Sequence, residues 1–242
     1  MMSRTIKAAA LAGTLSLIVF GAVPAQADPV YLKGYGLGVA GLEVMAPHYF
    51  RTFAGQLLLD MGSPDAADDF IAYCIDPTRT RTTIQDMSER ALSELPDLGN
   101  PAAGVQPNAG GRIAWLINTY AGDAWLRANA DSADQNARAA ALQLAIWEVL
   151  FEPFGSYSLT SGSLKLLWAA ENHPLILSYS NLYFSSLGAN TAEALWYDIR
   201  DPQNGYGQDY AGPLPVPESG SFMLVAAGLL GALRAATRRG RP

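Results

Sequence analysis

The sequence predicts an α+β fold, a β-sandwich-like part with an inserted helical subdomain, on three observations. Glycines alternate with apolar residues over 30–45 and an aromatic-rich run covers 49–61, which reads as two strands. Apolar residues recur with a helical period after residue 110 and again over 132–151. A short aromatic stretch at 194–199 then reads as a closing strand.

Taken in order, Gly34, Gly36, Gly38 and Gly41 sit among apolar neighbours without the spacing or following helix of a phosphate loop, so they are structural. Residues 70–75 form a third short strand, stopped by Asp76-Pro77, and put Phe70, Ala72 and Cys74 on one face. Residues 86–95 read as a short helix ended by Pro96. Ile113, Leu116, Ile117 and Tyr120 fall at i, i+3, i+4 and i+7, one face of a helix. The next helix has Ser132 and Gln135 at capping-box spacing and runs to Phe151, before Pro153. It is apolar nearly all round and therefore buried, which makes Gln143 in its middle costly unless its amide is bonded or chemically used. Residues 163–171 suggest a further helix, and 173–187 read as mixed, with His173 in a loop before Pro174.

The ends carry different signals. Arg4 and Lys7, the apolar run 8–23 and Ala25-Gln26-Ala27 make residues 1–27 a secretory signal peptide. Residues 28–212 form the globular domain, with the helical subdomain at about 86–172, and 213–218 form a proline-rich linker and motif. Residues 219–242 hold an apolar run over 222–233 and a basic tail of Arg234, Arg238, Arg239 and Arg241. That run is shorter than the roughly 20 residues a spanning helix needs. The layout resembles the PEP-CTERM sorting signal of Gram-negative bacteria, with Val216, Pro217 and Glu218 matching its motif. The resemblance implies an exosortase-type sorting enzyme as partner, a transient stay at the inner membrane, and export to the cell surface or extracellular matrix.

The whole chain has a formal charge of −6. Without the two ends, 10 basic residues face 21 acidic ones, a surface poorly matched to nucleic acid or anionic lipid. One cysteine excludes an intramolecular disulfide and any zinc site built from cysteine pairs. With only His48 and His173 besides, no metal or cofactor is expected.

An exported lone thiol, Cys74, and a glutamine in a greasy helix, Gln143, are joined by one chemistry, an internal thioester. The thiolate attacks the side-chain carbonyl and ammonia leaves. The bond lasts where water is excluded and needs proton handling while it forms. Trp147, four residues past Gln143 and on the same face, suits the shielding. Asp76 and Glu148 are candidates within sequence reach for the proton, and Tyr73 for a shielding or proton-handling neighbour.

Three blocks occur in order: Tyr73-Cys74-Ile75-Asp76, then Arg112-Ile-Ala-Trp-Leu-Ile-Asn118 with Tyr120, then Gln143-Leu-Ala-Ile-Trp147. Over roughly 69–150 they resemble the thioester domains of bacterial surface adhesins. The resemblance implies that Cys74 and Gln143 are the bonded pair. It implies covalent capture of an amine on a target, for adhesion or matrix attachment, once per molecule and without turnover. Leu142, where many relatives carry Thr, and Thr119, which interrupts an Asn-Gly, depart from the pattern. Two other readings stand beside it: a non-reactive structural protein of the extracellular matrix or biofilm, and a cysteine hydrolase using His48 or His173 as base.

Overall fold

The computed structural model describes residues 29–46, 48–61, 70–77, 84–95, 108–122, 133–169, 173–200 and 208–214. Both expected export and sorting segments, including Val216, Pro217 and Glu218, lie outside the described residues. Among the described residues, no helix is long and apolar enough to cross a membrane.

The strands are β1 (Pro29–Met45), β2 (Tyr49–Met61), β3 (Phe70–Cys74), β4 (Ile84–Ala91), β5 (Lys165–Trp168), β6 (Leu195–Arg200) and β7 (Tyr210–Gly212). The helices are α1 (Ala109–Tyr120), α2 (Ala133–Phe151) and α3 (His173–Leu187). Among the described residues α1, α2, α3 and β5 are inserted between β4 and β6, so the α+β class and the inserted helical part stand, with the helices over 109–187 and not over the expected 86–172.

The β part closes on itself instead of splitting into two facing sheets. β1 pairs with β2, β2 with β3, β3 with β7, β7 with β6, β6 with β4, and β4 returns to β1, every pairing antiparallel. The ring closes because β1 is long: Pro29–Tyr31 pair with β4, while Glu43–Met45 pair with β5 outside the ring. Its pairing with β2 shifts register at three places, between Leu32 and Gly34, Tyr35 and Gly38, and Val39 and Leu42. Such bulges bend a strand. At the middle one Gly38 faces Gly55, with φ of 158° and 149°. A Cβ on Gly55 would stand 2.3 Å from the Leu37 carbonyl oxygen, so the two strands approach this closely only through glycine.

α2 is the buried axis of the helical part. Ala139 through Phe151 are all buried, as a helix apolar on every side requires. It packs against α1, α3, β1 and β2. Near its start, Asn136 accepts a hydrogen bond from the Gly38 N–H (3.1 Å), tying the bulge of β1 to the helix. Ser132, one end of the expected capping box, lies outside the described residues.

Three local readings are corrected. Residues 86–95 are not a helix: β4 runs to Ala91 and a 3-10 turn follows over Leu92–Glu94. The ladder with β6, from Asp86–Arg200 to Ala91–Leu195, overrides the local helical pattern. Residues 163–171 hold the strand β5, whose Leu166 pairs with Val44 and is buried. Apolar residues at helical spacing in so short a run do not distinguish helix from strand. His173 opens α3 instead of lying in a loop, because Pro174 in a first helical turn gives up an N–H that would have no partner there.

Candidate functional site

Cys74 is the last residue of β3, and β3 lies in the ring between β2 and β7. α2 crosses so that Gln143 meets it. The Cys74 N–H donates to Gln143 Oε1 (2.9 Å), and Gln143 Nε2 donates back to the Cys74 carbonyl (2.7 Å). The amide thus copies one rung of a β-ladder, which resolves the cost of burying it at 1% exposure. Its carbonyl carbon is thereby held beside the cysteine. Trp147 Nε1 donates to the same Cys74 carbonyl (2.9 Å), and Phe50 meets the Trp147 ring edge-on at 6.1 Å.

Two N–H donors stand at the sulfur, the backbone of Asp76 and the Gln208 amide, the latter 3.1 Å from Sγ, while the one indole N–H of Trp147 is committed to the Cys74 carbonyl. Burial nonetheless dominates and pushes the Cys74 thiol up to about 12, so it is protonated at neutral pH. The Asp76 carboxylate adds to that rise. Gln208 also donates to the Asp76 carbonyl (3.3 Å) and accepts from the Tyr210 hydroxyl (3.3 Å), which fixes the orientation of its amide. A cavity of about 900 Å³ opens onto this centre, and Cys74, Gln143, Trp147 and Gln208 all contribute to its wall.

Of the residues singled out in the sequence, Cys74, Gln143 and Trp147 are together, and Asp76 is adjacent with its N–H toward the thiol. Tyr73 alternates to the other face of β3, fully buried, with Tyr183 as an electrostatic neighbour. Glu148 points elsewhere: its Oε1 accepts a short hydrogen bond from the Ser158 N–H, and burial raises its pKa to about 8, with Glu152 contributing. Neither His48 nor His173 lines the cavity or bonds to Cys74. Among the described residues there is no cluster that would hold a metal ion.

The middle sequence block serves the scaffold. Arg112 is buried with its guanidinium 4.9 Å above the Phe154 ring, Asn118 donates to the Glu193 carbonyl (2.8 Å), and the Tyr120 hydroxyl meets Ser186 Oγ at 2.6 Å. These contacts seat α1 against the loop after α2 and against α3.

Residues 71–183 match the thioester domain family. The matched span begins three residues before Cys74 and ends within α3, so it contains the Cys74–Gln143 pair and the whole of α1 and α2. No curated protein and no solved structure gave a significant match. The α+β architecture agrees with a thioester domain, whose members act by covalent binding, not by turnover. Sequence reasoning missed Gln208, which lies just before β7. The polar pair Gln208-Asp209 set directly against the strand-forming Tyr210 was the available signal.

Proposed function

We propose that Cys74 and Gln143 form an internal thioester through which the protein captures an amine on a target covalently. The single observation that carries this reading is the reciprocal pair of hydrogen bonds between the Gln143 amide and the Cys74 backbone, which holds the acyl carbon at the residue that bears the thiol. In the first step Cys74 Sγ attacks Gln143 Cδ, the thiol proton passes to the departing nitrogen, and ammonia leaves. In the second a neutral amine attacks the same carbon, and Cys74 leaves and regains a proton as the amide forms. The Asp76 and Gln208 N–H donors at Sγ lower the cost of transient negative charge there. Burial protects the bond from water between the two steps.

In this reading the chain is an exported, surface-displayed adhesin-like protein of a Gram-negative-type bacterium. It is delivered through the inner membrane by an exosortase-type enzyme acting at Val216, Pro217 and Glu218, and its partner is an amine-bearing surface or matrix molecule. It works without a cofactor and once per molecule. Intact mass of the purified domain tests the bond. Wild type lacks the mass of one ammonia and gains an added small amine stoichiometrically, while Cys74→Ala and Gln143→Ala do neither. A full mass with a titratable thiol returns the protein to the non-reactive matrix reading, in which the Gln143 amide simply caps β3.

A further inference from the structure

The cavity leading to Cys74 is lopsided in charge. Its walls are aromatic, apolar or neutral-amide groups, and among the described residues the one charged side chain lining it is Arg51. Arg51 is exposed and makes no ion pair among the described residues, although Glu43 is its cross-strand partner. The guanidinium reaches over Gly41 instead, where a Cβ would stand 3.1 Å from one terminal nitrogen. Gly41 has φ of 72°, at the end of the third register shift, so the bulge that bends β1 also clears the place where the cation rests. Tyr35 and Phe53, with ring centroids 4.4 Å apart, form another part of the wall.

An amine attacks only in its neutral form. Among the described residues no carboxylate lines the cavity to hold an ammonium, and a cation at the lip repels one and favours its loss of a proton. What the lip attracts is an anion, in an arrangement suited to the two oxygens of a carboxylate. We infer that the captured amine belongs to a molecule carrying a carboxylate within short reach of it, which docks on Arg51, as in a lysine side chain flanked by acidic residues of a protein target. This deepens the thioester reading and rests on it. It runs against the net negative charge of the domain, so any preference for anionic amines is local to Arg51 and not a property of the overall field.

The test compares two amines with the same methylene chain, ε-aminocaproate, which ends in a carboxylate, and cadaverine, which ends in a second amine. Adduct formation is followed by intact mass at low salt. Wild type takes ε-aminocaproate faster by about fivefold, the scale of one exposed ion pair. Arg51→Gln equalises the two rates, and Arg51→Glu reverses their order. Equal rates in wild type, or a preference unmoved by Arg51→Glu, overturn the inference while leaving the bond intact. Should wild type show neither ammonia loss nor any adduct, the bond itself fails. The subsite is then judged from NMR titration of Cys74→Ala: shifts near Arg51 and Tyr35 with ε-aminocaproate and not with cadaverine support it, and their absence removes it.

Discussion

Two faces of α2 use buried polar side chains differently. On one, Gln143 reads both backbone groups of Cys74 and every polar atom of its amide is satisfied. On the other, Glu148, together with Glu152 just past the helix end, holds the loop that follows: Glu148 accepts from the Ser158 N–H, and Glu152 from the N–H groups of Ser163 and Leu164, the latter at 2.8 Å. Glu148 keeps one oxygen, Oε2, buried without a hydrogen bond, and its pKa rises accordingly. The neutral amide costs nothing further to bury and is available for chemistry, whereas the carboxylates act as struts whose charge state depends on pH.

The comparison breaks if the faces exchange roles, and the largest effect tests that directly. Gln143→Ala abolishes ammonia loss and amine capture, while Glu148→Gln retains both; loss of capture in Glu148→Gln, read by intact mass, would make Glu148 a proton carrier after all. The second effect is on stability. Glu148 holds its proton in the fold up to about pH 8, above its ordinary value, so its contribution is full in acid and is lost as pH rises toward 8. From the ordinary 4.5 to about 8, at about 1.4 kcal/mol per unit, this is about 5 kcal/mol, seen as a falling urea midpoint. Glu148→Gln flattens that decline and leaves the shorter one of Asp209, whose burial raises its pKa to about 6. Third, Glu152→Ala strands two loop N–H groups and destabilises the domain by about 3 kcal/mol in denaturant, without changing the adduct rate of folded protein. Smallest, Gln208→Ala removes one donor from Sγ and slows amine capture by about fivefold, the worth of about 1 kcal/mol.

Much of this was legible in the chain. An amide in the middle of a helix apolar on all sides must find backbone partners, and the lone cysteine of the chain marked where they were. α1 and α2 followed from periodicity and β6 from its aromatic composition, whereas α3, read as a mixed stretch, did not. The closure of the β ring was not legible, because it depends on β4 pairing with both β1 and β6, and the 84–91 segment, polar at Ser88, Glu89 and Arg90, has no alternating apolar face to announce a strand. Gln208 reaches the thiol only because β7 pairs with β3, a contact between residues far apart in sequence. Glu148 lies away from Cys74 for a simple reason of angle: Trp147 returns to the face of Gln143 after four residues, and the next position turns away from it.

The Cys74 carbonyl receives two N–H groups, one from Gln143 Nε2 and one from Trp147 Nε1. Condensation to the thioester would carry the first away as ammonia, at a point sealed from water. The indole is therefore a spare: with it in place the carbonyl stays satisfied on either side of the reaction, and the equilibrium is spared the penalty of a buried orphan acceptor. Replacing Trp147 by Phe would leave the unreacted protein nearly as it was and tax only the product, so the same tryptophan that fills the core also sets how far the bond-forming step runs.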